Sequence, residues 1–270
     1  DVARIYVVKG KRVSSLLGLE TALKLGVLKI INNIEQISID LPPNLRNTVN
    51  KYRTRFEGIG KLKDVKVKLS IDSEIKPVAN KHRRVPFHLR QKVEEELNRL
   101  LKAGVIETVH EPTGWVSPIV LTNKSDGSIR MCVDMTEPNK AIQRIRHVVP
   151  TVEDIRYQVN GAKIFSKLDL KNGYHQLELA EESRNITTFS THLGLARYCR
   201  LNFGTSSAAE IFHNEISKRV DSIEGALSIH DDILIYGRNQ EMHDIAVENV
   251  LAMLEKNGLT ANRSKCEFNK

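Results

Sequence analysis

The sequence contains two adjacent aspartates, Asp231 and Asp232, between two apolar runs in the segment ALSIHDDILIYG. Alternating apolar residues on either side predict two strands, which would bury Leu227, Ile229, Ile233 and Ile235. The acidic pair would then lie at the tip of a hairpin. Two carboxylates forced together repel each other, so a pair that stays ionised usually holds a cation. Magnesium suits such a site because it binds one or two carboxylates together with substrate phosphates. An exposed Asp-Asp turn without a ligand is the competing interpretation.

The composition is that of a globular protein. Of the 270 residues, 40% are hydrophobic and 27% are charged, which excludes an intrinsically disordered chain. No apolar run approaches the roughly 18 residues of a membrane span, and the chain starts without a signal-like segment or an initiating Met. We therefore expect a piece of a longer protein with no membrane partner. The cysteines, Cys132, Cys199 and Cys266, are too far apart in the sequence for a zinc site. Their odd number and wide spacing indicate free thiols in a reducing compartment.

Charge is unevenly distributed along the chain. The first 150 residues carry +11 and residues 151–270 carry −3, which together give the net charge of +8. A basic half beside an acidic half that holds the Asp pair fits a polyanionic partner together with a metal site. Ordinary solvated lysines would explain the same imbalance equally well.

The chain divides into three segments. Residues 1–31 predict a strand, a turn and a short helix, and residues 32–70, interrupted by Pro42 and Pro43, predict a linker. Residues 71–270 combine hairpins with amphipathic helices, which predicts an α+β domain. Strands are expected at 115–135, as a hairpin with an Asp-Gly turn, at 164–170, and from residue 259.

Three amphipathic helices are predicted in this domain from apolar residues at helical spacing. The first ends at Gly104 and the third at Gly258, where glycine favours the helix C-terminus. The residues expected to face inward are Leu89, Val93, Leu97, Leu100 and Leu101 in the first helix, Ala209, Phe212, Ile216 and Val220 in the second, and Ile245, Val250, Leu251 and Leu254 in the third.

A third carboxylate, Asp169, closes the apolar strand IFSKLDL just before a Lys-Asn-Gly turn. An acidic residue at one strand end and an acidic pair on a neighbouring hairpin can together bind two divalent ions about 3.5–4 Å apart. This arrangement is used for in-line attack at phosphorus, because each ion stabilises charge on the attacking or the leaving oxygen.

Residues 71–270 resemble the fingers and palm of a reverse transcriptase from a gypsy-type LTR retrotransposon. The resemblance is carried by the segments RRVPFHLRQKVEEELNRLLKAGVIE, WVSPIVLTNKSDGSIRMCVD, FSKLDLKNGYHQLEL, TTFSTHLGLARYCRLNFGTSSAAEIF, IHDDILIYG and GLTANRSKCEF, which follow one another in the family's order. It implies a right-hand polymerase fold with an antiparallel palm sheet backed by helices. It also implies RNA-directed DNA polymerase activity, with a primed RNA or DNA template and deoxynucleoside triphosphates as partners.

The same resemblance implies a role for individual residues of the palm. Asp169, Asp231 and Asp232 would hold two Mg²⁺ ions, with Mn²⁺ as a possible substitute. The backbone at Leu170 would cradle the incoming triphosphate. The ring of Tyr174 would occupy the space that a ribose 2′-hydroxyl needs, although a half-buried core tyrosine is the alternative interpretation.

Further roles follow from the resemblance for residues around this centre. Arg130 would stack on the incoming base and contact its phosphate, since guanidinium is planar and always charged. Lys124, on the same hairpin tip, would meet the triphosphate or else be a solvated turn residue. Phe203 and Gly204 would line the nucleotide pocket and the template strand. Lys265 would protonate departing pyrophosphate or else be a surface lysine.

The first 31 residues resemble the C-terminal tail of a retropepsin through VVKGK and LLGLETALKLG. No Asp-Thr-Gly or Asp-Ser-Gly triplet occurs in the chain, so we expect a short β/α protease-tail remnant without proteolytic activity. The order fits a gag-pol polyprotein whose full-length parent carries a thumb, an RNase H and an integrase. We expect it in the cytoplasm within virus-like particles, with the nucleus as a second location.

Four residues depart from the family pattern: Ile229, Asn202, Thr136 and Pro138. These departures leave open a different class of function, a catalytically inactive remnant that at most binds nucleic acid through its basic half. An aspartic protease piece is disfavoured by the missing triplet.

Overall fold

A computed structural model describes residues 41–123, 129–144 and 151–270. The predicted protease tail at 1–31 and the first part of the predicted linker, residues 32–40, lie outside the described residues.

The described chain contains runs of strands and runs of helices, as expected for an α+β domain. The α-helices are α1 (Pro43–Lys51), α2 (Arg90–Lys102), α3 (Thr136–Ala141), α4 (Val152–Gln158), α5 (Ala208–Val220) and α6 (Gln240–Asn257). The strands are β1 (Lys66–Val67), β2 (Ile106–Val109), β3 (Ser117–Asn123), β4 (Ile129–Val133), β5 (Ile164–Asp169), β6 (Glu178–Leu179), β7 (Phe189–Thr191), β8 (Gly194–Tyr198), β9 (Ala226–Ile229) and β10 (Asp232–Gly237). Short 3₁₀ turns lie at Arg53–Phe56, Phe87–Leu89, Gly173–Gln176, Glu181–Ser183, Asn185–Thr187 and Arg263–Lys265.

The strands form a three-stranded sheet in the order β5-β10-β9 and a five-stranded sheet in the order β2-β8-β7-β3-β4. The three-stranded sheet is antiparallel throughout. In the five-stranded sheet only the β3–β7 pair is parallel. A short parallel pair, β1 with β6, attaches the beginning of the described chain to its middle.

Helices α5 and α6 cover the three-stranded sheet, with α5 against β9 and α6 against β10. Helix α6 begins at Asn239, whose side chain accepts a hydrogen bond from the amide of Met242. It ends at Gly258, as predicted, with φ of 72° in the left-handed region that favours glycine. The expected antiparallel sheet backed by helices is therefore present.

The predicted inward faces of the three helices are correct for most residues and wrong for Leu101, Ala209 and Ile245. Leu101 is 37% exposed and Ile245 is 55% exposed, and Ala209 is also exposed, whereas its neighbour Ala208 is buried. On α6, the residues that replace Ile245 in the core are its neighbours Ala246, Val247 and His243. Helix α6 carries apolar residues around more than one face, so spacing alone does not decide which of its faces the sheet covers.

The linker prediction for residues 32–70 is wrong from residue 41 onward. Helix α1 buries Leu45 and Val49, and the segment that follows buries Leu62 and Leu69. The amide of Leu62 donates to the carbonyl of Gln176, and the amide of Leu69 donates to the hydroxyl of Ser183. The two prolines that suggested a linker lie at the start of α1, where a missing amide hydrogen costs nothing.

The strand predicted from residue 259 is reduced to isolated bridges. Leu170 pairs with Ala261 and Lys167 pairs with Glu267, and the 3₁₀ turn at Arg263–Lys265 separates the two bridges. The segment still follows the outer side of β5, so it holds Lys265 close to the end of that strand.

Among the described residues, no helix is both long and apolar enough to cross a membrane.

Candidate active site

Asp169 and Asp232 face each other across the β5–β10 pair. Asp169 is the last residue of β5 and Asp232 the first of β10, and the antiparallel register pairs them directly. Asp231 lies in the turn between β9 and β10, next to His230, whose φ is 52°. The predicted hairpin with the acidic pair at its tip is present, and it brings the two predicted aspartates beside the third.

Each of these carboxylates contacts a polar side chain of the chain itself. Oδ2 of Asp169 lies 3.4 Å from Nζ of Lys265, and Oδ2 of Asp232 lies 3.4 Å from Nζ of Lys167. The hydroxyl of Tyr174 lies beside Asp231 and acts to lower the pKa of its carboxyl. In the part of the chain that the structure describes, no three His, Cys, Asp or Glu side chains converge into a cluster that could hold one ion. The three carboxylates are neighbours in the strand pairing and its turn, but each is directed to its own partner.

The carboxyl of Asp231 has a raised pKa. Partial burial is the main cause, and the hydroxyl of Tyr174 works in the opposite direction. The charges of Asp232 and Asp169 raise the pKa further. The neighbouring charges thus act with burial to disfavour ionisation of Asp231, as expected of acidic groups that share a site.

Tyr174 lies in the 3₁₀ turn that follows β5, after Asn172 in the left-handed conformation. Its ring centroid is 4.7 Å from that of Phe203 and 5.4 Å from that of Phe212 in an edge arrangement. Burial and the neighbouring charge of Asp231 raise the pKa of the phenol to about 12, so the hydroxyl stays protonated. The structure therefore brings together Tyr174, Phe203 and Asp231, as the resemblance implies.

Behind Tyr174 lies His175, which sequence reasoning missed. The side chain is only 8% exposed, and its ring stacks on Tyr198 and meets Phe203 edge-on, with centroids 5.8 and 5.2 Å apart. Among the described residues neither ring nitrogen has a hydrogen-bond partner. Burial lowers the pKa of this imidazole to about 4, so the ring is neutral near pH 7 and acts as an aromatic support.

The segment after Gly258 is hydrogen-bonded to the end of β5. The amide of Asn262 donates to the carbonyl of Asp169, and the amide of Lys171 donates to the carbonyl of Thr260. Leu170 is buried between these bonds, so its backbone is held firmly just after the first carboxylate. This arrangement places Lys265 beside Asp169, as the resemblance implies, although the role of each residue stays a prediction.

Gly204 has a φ of 96°, which only glycine adopts readily, and a side chain here would approach the carbonyl of Val133 within 3.3 Å. Asn139, on α3, fixes this loop from both sides. Its amide donates to the carbonyl of Gly204 at 2.8 Å, and its carbonyl accepts from the amide of Ser206 at 2.8 Å. Asn139 is thus a second residue that sequence reasoning missed.

Two of the four departures from the family pattern, Asn202 and Thr136, are accommodated by local hydrogen bonds. Asn202 is buried, and its side chain bonds the hydroxyl of Thr205 and the carbonyl of Phe203. Thr136 donates from its amide and its hydroxyl to Asp134 at the start of α3. Pro138 lies in the first turn of that helix, where proline is tolerated.

Arg130 lies on β4 and is exposed, opposite Thr122 of β3. Lys124, predicted to lie on the same hairpin tip, falls outside the described residues.

Lys167 also belongs to the carboxylate centre, and the sequence interpretation overlooked it. It stands two positions before Asp169 on a strand, where alternation puts both side chains on one face, and this signal could have identified it.

A family model described as "Reverse transcriptase (RNA-dependent DNA polymerase)" matches residues 122–270. Among curated proteins, an uncharacterized protein of Caenorhabditis elegans, K02A2.6, is 32% identical over 215 residues, which are 78% of this chain and 17% of that protein. The retrovirus-related Pol polyprotein from transposon 412 of Drosophila melanogaster is 30% identical over 71% of this chain and 16% of its own length. The transposon Tf2-3 polyprotein of Schizosaccharomyces pombe is 29% identical over 66% of this chain and 13% of its length.

Solved structures of a foamy virus protease-reverse transcriptase have the same fold. One selenomethionine-labelled mutant is 22% identical, with a TM-score of 0.77 over 84% of this chain and 31% of that one. A complex with an RNA/DNA hybrid gives 20% identity and a TM-score of 0.75 over 97% of this chain and 35% of that one. The polymerase fingers and palm fold expected from the sequence is confirmed. The chain belongs to the reverse transcriptase (RNA-dependent DNA polymerase) family.

Proposed function

We propose that this chain supplies the fingers and palm of an RNA-directed DNA polymerase, which adds a deoxynucleotide to a primer 3′-hydroxyl. The observation that carries the proposal is the direct register pairing of Asp169 with Asp232, with Asp231 in the adjoining turn. Nucleotidyl transfer needs carboxylates that can hold cations and a group that can distinguish the sugar. Three carboxylates and the ring of Tyr174 lie together at this end of the strand pair.

Divalent-metal dependence is a general property of this family. The three carboxylates fit magnesium chemically, because they are hard oxygen ligands on two adjacent strands. Asp169, Asp231 and Asp232 would hold two Mg²⁺ or Mn²⁺ ions after leaving their present side-chain partners. When bound, such ions would stabilise the charge on the attacking and the leaving oxygens.

The chain's own residues would do the remaining work. The ring of Tyr174, held by Phe203 and Phe212, would exclude a ribose 2′-hydroxyl from the nucleotide pocket. The buried backbone at Leu170 would bind the triphosphate. Lys265, 3.4 Å from Asp169, would supply a proton to the departing pyrophosphate. Arg130 and Lys124 would contact the triphosphate from the fingers.

A template-primer duplex is the proposed partner. Two foamy virus structures with this fold were solved with double-stranded DNA and with an RNA/DNA hybrid. The basic first half of the chain supports binding of such a polyanion, since phosphate contacts supply much of nucleic-acid affinity. The chain spans only 13–17% of the length of the curated relatives described above, so the activity of a whole polyprotein is part of this proposal.

Single-nucleotide addition tests the proposal. The full chain is mixed in molar excess with a labelled DNA primer on an RNA template, Mg²⁺ or Mn²⁺, and one deoxynucleotide at a time. We expect the primer to lengthen by one nucleotide, only with the complementary base. Anisotropy of the labelled hybrid measures binding in parallel. Binding without any addition would contradict the proposal and favour the non-catalytic remnant.

A further inference from the structure

Lys167 lies on the same face of β5 as Asp169, two residues earlier. Its Nζ is 3.4 Å from Oδ2 of Asp232, and the two side chains are 43% and 34% exposed. The backbone of Lys167 pairs with Leu234 of β10, whereas its side chain reaches diagonally across the strand pair to Asp232.

The ammonium group of Lys167 lies among carboxylates that repel one another. Asp169 and Asp232 are direct cross-strand neighbours, and like charges in that position destabilise a sheet. Asp231 adds a third acidic group beside them. Lys167 and Lys265 place one ammonium against each of the two paired carboxylates, so most of the negative charge is balanced within the chain.

The backbone of Lys167 is held on both sides. Its amide donates to the carbonyl of Glu267, and the amide of Glu267 donates back to the carbonyl of Lys167. On its other side the residue pairs with β10. Lys265, by comparison, is the last residue of a 3₁₀ turn, and its side chain is 64% exposed. Lys167 is therefore the better positioned of the two lysines to orient a carboxylate.

We propose that Lys167 is a positioning residue that serves as the internal counter-ion of Asp232 and sets the affinity of the carboxylates for divalent cations. It orients Asp232 when no cation is bound and competes with the cation for that carboxylate. The inference rests on the proposed function, because it takes the three carboxylates as the metal ligands. An ordinary cross-strand ion pair would affect stability and leave cation affinity unchanged.

Mn²⁺ binding to the full chain, measured by electron paramagnetic resonance without nucleotide or nucleic acid, tests this inference. Lys167→Met removes the charge and keeps most of the side chain, and Lys167→Arg keeps the charge. The matched control is Lys51→Met, which breaks another exposed ion pair, 2.7 Å long, to Glu248 on α6. The thermal midpoint of each protein, with and without Mn²⁺, is measured alongside.

We expect Lys167→Met to bind Mn²⁺ roughly two- to fivefold more tightly, as the loss of one partly exposed ion pair implies. Its thermal midpoint should fall without the cation and gain more than that of the parent when Mn²⁺ is added. Lys167→Arg and Lys51→Met should retain the parent's affinity. If Lys167→Met does not fold, Lys167→Gln takes its place.

Unchanged or weaker Mn²⁺ binding by Lys167→Met overturns the inference and leaves the proposed function standing, provided that the parent binds Mn²⁺ through the carboxylates. Asp232→Asn decides that point, because it should weaken Mn²⁺ binding by the parent. If the parent binds no Mn²⁺, or if Asp232→Asn binds it as well as the parent does, the metal assignment of the proposed function fails as well.

Discussion

Gly173 lies directly against the ring of Phe212. A Cβ atom built on Gly173 would be 2.8 Å from Cζ of that ring, and Phe212 is fully buried in α5. The next residue, Tyr174, meets the same ring edge-on at 5.4 Å. Because Gly173 has no side chain, the 3₁₀ turn and the ring of Tyr174 can lie close to α5.

Gly173→Ala should displace Phe212 and destabilise the fold. Overpacking of a well-filled core costs about 1–3 kcal/mol, and we expect the free energy of unfolding in urea to fall by that amount. Adding Phe212→Leu should recover part of the loss, because the smaller side chain makes room for the new methyl group. Additive effects of the two substitutions would show that the contact does not limit the turn.

The ring and the hydroxyl of Tyr174 should have separable effects. Tyr174→Ala should reduce discrimination against ribonucleotides by roughly 10- to 100-fold, because it opens the space that the ring fills. Tyr174→Phe should keep that discrimination, since it keeps the ring and loses only the hydroxyl beside Asp231. Single-nucleotide addition with ribo- and deoxynucleotides at matched concentrations measures both. Equal effects of the two substitutions would rule out the ring as the sugar-reading element.

His175 should make the fold sensitive to mild acid. The unfolded chain takes up a proton near pH 6.5, whereas the buried ring stays neutral down to a pKa of about 4. Because the unfolded state then binds more protons, lowering the pH between these values favours unfolding. We expect the parent to lose on the order of 1–2 kcal/mol more stability than His175→Phe between pH 7 and pH 5. Urea titrations at both pH values measure the difference, and equal losses would contradict the assignment.

Elements of the fold were predictable from the sequence where charged residues lie at the ends of regularly alternating apolar runs. The hairpin of Asp231 and Asp232 and the strand that ends at Asp169 were predictable, because alternating apolar residues flank charged strand ends. The glycine at the end of α6 was predictable for a similar reason, since Gly258 alone provides the left-handed residue that ends the helix.

Tertiary packing decided the rest. Ile245 has the right spacing to face inward, yet the sheet covers the neighbouring face of α6, which carries Ala246 and Val247. The Pro42-Pro43 pair suggested a linker for residues 32–70, but apolar side chains from residue 41 onward belong to the same hydrophobic core as distant parts of the chain. The roles of His175 and Asn139 depend on contacts with residues far away in sequence, which no local pattern records.

The most direct test of the two-strand carboxylate centre is the single-turnover rate of nucleotide addition by Asp232→Asn. Asp221→Asn, at the exposed end of α5, is the matched control. We predict that Asp232→Asn lowers the rate at least about 100-fold, because a neutral amide cannot hold a divalent cation as a carboxylate does, while hybrid binding and the rate of the control stay near those of the parent. A rate for Asp232→Asn within a few-fold of the parent's would contradict the account.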